Sequence, residues 1–430
     1  MNHNFSKSPH RKLLDGKSVL LASGIALRAF LEVGYVYFIH PLYEYSGFGL
    51  KFAPEKYLES WVAYLLILLG APAVLKRPSD FLITILIVGL IAPAAVLYPY
   101  LDKERYYFYL LVASFFIINL TRKGRLFKVK VIEKGPKKII VFCWFLAVVV
   151  SLWYVISGGF QYFNLDLSKV YDFRRDSAEA TDVGLMAYVN GWAPKVAGPA
   201  LLTFYLWKRK YLVAAAVVLL HIFWFGVSAH KSVLFTPLLV LFLWKWFDRT
   251  KSLSFVYIGL TLITVGVLIP YFFDEERIVL ASLFLRRVYF VVAQLVFSYM
   301  EFFSVNEKIF WSNSFLSGFI NYPYSAPPPI IIGSEMGSDA YANVSFIGAG
   351  YMHAGSVGVV VYAFAVGLIF KMVDSIANKR LPLWVSVSIV LISSWSLLLS
   401  TDLPTAILTH GLALALLILL FIRDSHLESS

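Results

Sequence analysis

The chain has 430 residues, 59% of them hydrophobic and only 15% charged, and its mean hydropathy is positive, which excludes an ordinary soluble fold and places it among polytopic membrane proteins. A formal charge of +12 is no argument for nucleic acid, because membrane proteins gather Lys and Arg in cytoplasmic loops as a matter of topology. The one cysteine, Cys143, excludes an intrachain disulfide and a cysteine-based metal site.

The first apolar run is too long for a cleavable signal peptide and lacks a small-residue cleavage site, so it is expected to remain as an anchor. Runs long enough to cross a ~30 Å hydrocarbon core predict about twelve transmembrane helices, at residues 18–39, 57–75, 79–98, 105–121, 138–156, 191–207, 211–228, 231–247, 253–273, 344–370, 383–401 and 404–422. The fold class is therefore all-α, with one transmembrane domain over residues 1–430. Basic clusters fall at Lys7 to Lys17, Lys76 and Arg77, Arg122 to Lys138, Lys208 to Lys210, Lys245 to Lys251, Lys371 to Arg380, and Arg423. All lie on one side if both termini are cytoplasmic.

Two long segments are then external, about 157–190 and 274–343. The first holds VYDFRRDSAEATD, Val170 to Asp182, with three aspartates, a glutamate and the adjacent Arg174 and Arg175. The second opens with Ile278 to Phe303, which is long enough to span. Counting it as a span would move Lys371, Lys379 and Arg380 outside and place Arg286 and Arg287 in mid-bilayer. It is read as an amphipathic helix on or dipping into the outer leaflet. The Pro- and Gly-rich YPYSAPPPIIIGSEMGSD that follows reads as an irregular loop.

Helical rise gives depths for the polar residues. Lys231 lies about 21 Å from Lys245, Lys195 about 20 Å from Lys208, and His353 about 27 Å from Lys371, so all three approach the external face. Asp402 sits at the outer turn between the last two spans. Arg28 falls near the bilayer middle with Glu32 four residues on, the spacing of a self-neutralising pair. Cations at one headgroup level suit an anionic lipid, and arginine matches phosphate oxygens with a planar fork of donors. Either arginine pair could equally hold a phospholipid headgroup or a local Asp, and His353 could equally be a packing histidine.

The order of these parts resembles the Wzy-type O-antigen polymerases, which join oligosaccharide repeat units of bacterial surface polysaccharide. The resemblance rests on the many spans around two external loops and on VYDFRRD, GVSAHKSVLFTPLL, the RR helix followed by YMEFF, and ANVSFIGAGYMHAGSVGVVVYAF. A long Arg-to-Gly spacing motif known in some members is not matched: Gly184 lies closer to Arg174 than that pattern asks, and the second loop lacks it.

The resemblance implies a GT-C-like plan and a glycosyltransferase of the bacterial inner membrane, working at its external face on undecaprenyl-pyrophosphate-linked oligosaccharide as donor and acceptor. It implies no cofactor and no metal, with membrane lipids and a chain-length regulator protein as partners and no nucleic acid. The sequence contains no HExxH, no DxD pair and no Cys/His cluster. Arg174, Arg175, Arg286 and Arg287, helped by Lys195 and Lys231, would hold the pyrophosphate; Glu301, Asp339, Glu335 or His353 would take the acceptor's proton. An O-antigen ligase, another polyprenyl-phosphate glycosyltransferase or a lipid-linked oligosaccharide flippase would be the alternatives.

Overall fold

A computed structural model describes the backbone of residues 9–423 except 168, 248, 339 and 379, and the same side chains apart from residues 9–15 and 170–172. Every predicted apolar run contains helix, although the helix of the run at 57–75 stops at Gly70, and no strand occurs among the described residues beyond one isolated bridge between Val74 and Ser252. Seven helices are long and apolar enough to cross a membrane: Gly16–Ser46, Pro78–Tyr100, Gly135–Ile156, Tyr211–Ser228, Ser254–Phe273, Ile278–Val305 and Phe346–Ala377. The chain is thus a membrane-embedded helical protein. Shorter apolar helices, Leu383–Leu399 and Leu412–Ile422, pack with them. The run at 404–422 is divided: Leu403–Ile407 is a short helix, and Leu412–Ile422 begins after Gly411 at φ +71. The Pro-rich loop also differs from the expectation, because Pro328–Glu335 is a helix. Prolines at the start of a helix cost nothing, since the first N–H groups have no intrahelical partner.

Prolines also explain most of the irregular turns. Three π-helical segments, Tyr35–Ile39, Ile87–Ile91 and Ala193–Ala197, each end two residues before a proline: Pro41, Pro93 and Pro199. In each, the residue between donates its N–H five residues back, as His40 does to Tyr35, Ala92 to Ile87 and Gly198 to Ala193. A proline ring clashes with the carbonyl four residues before it, and the extra residue in the turn relieves that clash.

Contacts between loops define the two ends of the bundle. At one end Leu75 N–H donates to the Lys251 carbonyl (2.7 Å), Lys17 Nζ to the carbonyls of Leu68 and Ala71, and Arg423 to those of Val129 and Lys130. There Asp80 accepts from Arg122 (2.7 Å), and Asp374 accepts from the Ser79 hydroxyl (2.7 Å). The basic clusters around residues 76, 122, 251, 371 and 423 therefore meet at that end. At the other end Lys51 N–H reaches the Tyr100 carbonyl, Lys56 pairs with Asp102, and Asn164 N–H donates to Gly226. The Ile278–Val305 helix packs there, with Leu285 against Gly34, Phe290 against Tyr35 (5.3 Å between centroids) and Gln294 bonded to the Ser46 carbonyl (3.0 Å).

Between the ends, Arg28 is fully buried, and each of its guanidinium nitrogens is hydrogen-bonded. Its guanidinium bonds Glu32 (3.1 Å), the Ser60 hydroxyl (2.6 Å) and the carbonyls of Ser60 (2.7 Å) and Ala95 (3.3 Å), and lies 4.0 Å from the Trp61 ring centroid. Glu32 takes a further bond from the Tyr57 hydroxyl (3.1 Å). Three helices are joined through one cation, which accords with a structural pair. Arg28→Ala would leave Glu32 buried without its counter-charge and is expected to cost about 3 to 5 kcal/mol. Arg28→Met with Glu32→Met should recover most of that loss in thermal unfolding of the detergent-solubilised protein.

Candidate functional site

The Phe346–Ala377 helix is broken at Ala354 (φ −147°, ψ 32°) and Gly355 (φ 60°, ψ −144°), immediately after His353. Gly355 supplies the left-handed φ, and Gly358 lets the two halves meet: a Cβ there would stand 2.0 Å from the Gly350 carbonyl oxygen. The break releases backbone acceptors inside the bundle. The carbonyls of Met352 and His353 are taken up by the N–H groups of Ile309 and Phe310, both at 3.2 Å. The same segment of the second loop brings Trp311, whose N–H donates to His353 Nδ1 (3.1 Å) and whose ring stacks on the imidazole at 4.9 Å.

That bond fixes the histidine's role. With Nδ1 accepting, Nε2 carries the proton and donates it to Asp402 Oδ2 (2.9 Å). Asp402 caps the Leu403–Ile407 helix, so its Oδ1 also accepts from Leu403 N–H (2.7 Å) and from the Tyr362 hydroxyl (2.9 Å). Trp311 Nε1 in turn donates to the Tyr362 oxygen (2.6 Å). His353 is wholly buried, whereas the Asp402 side chain is 16% exposed and lines a cavity with Tyr299, Asn343, Thr401 and His410. The arrangement is a carboxylate aimed by three donors, with Oδ2 retaining acceptor capacity.

Cavities that hold basic side chains lie on two flanks. Arg286 and Arg287, from the π-helical segment Ser282–Phe290, line a cavity of about 450 Å³ that shares Asn343 and Ser400 with the Asp402 cavity. The Arg286 guanidinium sits 4.3 Å from the Tyr43 ring centroid, and its Nε is buried without a hydrogen-bond partner among the described residues. On the other flank, Lys195, His230, Asp182 and Thr409 line a cavity of about 200 Å³. Thr409 precedes His410, so the two cavities adjoin through one turn. The Val170–Thr181 helix roofs this cavity, tied down by Ser177 Oγ donating to the Val227 carbonyl (2.7 Å), and Asn190 holds Asp182 at 2.9 Å. Burial, with Arg174 and then Lys195 nearby, pushes the His230 pKa down to about 3. The Trp192 indole donates to the Leu408 carbonyl (2.7 Å) and closes the cavity from an apolar groove of about 530 Å³ lined by Phe142, Trp192, Leu408 and Leu417.

The sequence-predicted residues therefore divide. Lys195 and Arg174 converge on His230, Arg286 and Arg287 share a cavity, and His353 meets Asp402. Arg175 points to solvent and pairs with Glu179 (3.1 Å), and Lys231 is half-buried at the start of the Lys231–Phe247 helix. Glu301 is bound by Lys103 (2.7 Å) and Glu335 is exposed at the end of its helix, and neither lines the three cavities. Asp339 lies outside the described residues. Asp402 is the functional candidate that sequence reasoning passed over. Its signal was a TDLP turn at the depth of His353, which marks a helix cap but names no partner. Among the described residues no cluster of three His, Cys, Asp or Glu could hold a metal ion. Compared with known protein families, characterised proteins and solved structures, the chain matches none.

The His230 shift carries a pH consequence. Its folded pKa lies below the ordinary value near 6.5, so the unfolded chain binds a proton that the folded one does not as pH falls toward 3. His230 thus costs nothing at pH 7.5 and destabilises increasingly below about 6.5. His230→Gln should narrow the stability difference between pH 7.5 and pH 5 by at most ~2 kcal/mol, read from unfolding midpoints at the two pH values.

Proposed function

We propose that this protein is a metal-independent, lipid-dependent glycosyltransferase that polymerises oligosaccharide repeat units carried on undecaprenyl pyrophosphate, at the external face of a bacterial inner membrane. The observation that carries the reading is an oriented carboxylate, Asp402, set between two separate cavities at one end of the bundle, one holding Arg286 and Arg287 and the other Lys195. Two lipid pyrophosphates and one deprotonated hydroxyl are the charges such a reaction must manage. The reading includes twelve spans, both termini cytoplasmic, and Ile278–Val305 inserted from the external side without crossing; the meeting of the basic loops at the opposite end supports that orientation.

In this mechanism the acceptor sugar's hydroxyl oxygen attacks the donor's anomeric carbon. The carbon–oxygen bond to the donor pyrophosphate breaks, and the electron pair leaves with that phosphate. The hydroxyl proton passes to Asp402 Oδ2, which His353, Tyr362 and the Leu403 N–H hold in place. Arg286 and Arg287, in the cavity that shares residues with that of Asp402, neutralise the leaving pyrophosphate. The acceptor's own pyrophosphate lies several sugars from its reacting end, which suits the more distant Lys195 cavity, with Arg174 near it. Its isoprenoid chain would lie in the apolar groove beyond Trp192.

The test is incubation of the purified protein with undecaprenyl-pyrophosphate repeat units, read as a gel ladder. Asp402→Asn should lower chain growth by about 10²-fold or more, and Arg286→Ala with Arg287→Ala by a similar factor. Lys195→Ala should chiefly raise the repeat-unit concentration needed. Glu301→Ala, which removes a surface pair, should leave the ladder intact. Full ladders from Asp402→Asn would sink the site assignment, and transfer only to a lipid A core acceptor would replace polymerase by ligase.

A further inference from the structure

At the end of the bundle remote from Asp402, a further cavity rich in cations is unused by the proposed reaction. It measures about 320 Å³ and is lined by Lys17, Lys76, Lys123, Arg122 and Asp80 together with the Gly70 to Val74 turn. Two of its cations are spent on the fold. Lys17 Nζ caps the Pro54–Gly70 helix through the carbonyls of Leu68 (2.7 Å) and Ala71 (2.6 Å). Arg122 bonds Asn119, Ser79 and Asp80. Asp80 is the single lining carboxylate among the described residues, and it is saturated by Arg122 and the N–H groups of Lys76 and Arg77 (2.9 and 2.8 Å). The ammonium groups of Lys76 and Lys123 make no hydrogen bond or ion pair among the described residues, and both side chains are exposed.

The cavity thus carries four cations against one anion. It adjoins an apolar stripe. Leu58, Val62, Leu66 and Leu69 project from one face of the Pro54–Gly70 helix, each more than half exposed, and Leu120 stands beside them on the Arg105–Lys123 helix. The stripe ends at Gly70, where the cavity begins.

We propose that this cavity is a binding site for an anionic glycerophospholipid, its phosphate on Lys76 and Lys123 and its acyl chains along the leucine stripe. Charge complementarity selects the phosphodiester, and the apolar stripe selects a lipid over a soluble phosphate, because only an amphiphile uses both surfaces. The site joins the C-terminus of one helix to the N-terminus of Pro78–Tyr100, so occupancy would clamp the end of the bundle opposite the catalytic cavity.

The experiment is native mass spectrometry of the full chain in detergent, titrated separately with phosphatidylglycerol, phosphatidylcholine and glycerol 3-phosphate. Phosphatidylglycerol should bind, and Lys76→Gln with Lys123→Gln should weaken it roughly thirtyfold. Lys130→Gln with Lys137→Gln, which removes equal charge at the same end outside the cavity, should bind as the parent does. Because Lys76 and Lys123 bear no structural bond, the unliganded melting temperature of the first variant should be unchanged. Equal loss from both double variants, or equal binding of phosphatidylcholine, would overturn the site. Competition by glycerol 3-phosphate at the same concentrations would overturn the lipid in favour of a soluble phosphate.

Discussion

The organisation of the candidate site depends on the break in the Phe346–Ala377 helix. Inside a bilayer a non-helical turn is tolerated only where its released carbonyls find protein donors. Here the 309–311 segment of the second loop supplies them, and in doing so delivers Trp311 onto His353. The imidazole's tautomer, its donation to Asp402 and the seating of the loop over the cavity all follow from that one repair. Gly355 and Gly358 make the turn sterically possible, and Asp402 arrives from a different helix pair to complete it.

The rest of the bundle obeys the same accounting. Arg28 is not left as a buried charge but divided among Glu32, Ser60 and Ala95, and Arg122 is divided among Asn119, Ser79 and Asp80. Each node ties several helices through short polar side chains, the kind of contact that holds helices together where apolar burial supplies little driving force. By contrast the Arg286 Nε is buried without a hydrogen-bond partner among the described residues, and Lys195 faces a cavity that it shares with Asp182 and a suppressed His230. Cations whose charge is not consumed by the fold are what an anionic ligand requires. That contrast is the physical basis for reading the Asp402 end as chemical and the Arg28 node as structural.

A carboxylate held by a neutral histidine, a tyrosine and a helix-capping N–H is positioned rather than buried away. Its donors keep it oriented, and adjacent cations in separate cavities leave room for two charged lipid heads. The proposed reaction uses this separation, since the donor's pyrophosphate must leave beside the carboxylate while the acceptor's remains at a distance. The basic opposite end does different work, and its lysine pair is proposed to read the lipid surface itself.

The all-helical membrane class was legible from apolar run length, because a hydrocarbon core imposes that length on any segment within it. So were the Arg28–Glu32 pair, from its four-residue spacing, and the shared level of Lys195, His353 and Asp402, from helical rise. Local periodicity could not reveal that Arg175 turns to solvent while Arg174 faces His230, that Lys103 binds Glu301, or that Asp402 rather than a loop acid meets His353. Those pairings join residues 49 to 198 positions apart. Sequence by itself determined that the chain is a helical membrane protein, since that depends on the transfer free energy of each apolar run. Only the tertiary structure decided which polar groups are spent on one another, since that depends on which distant helices pack together.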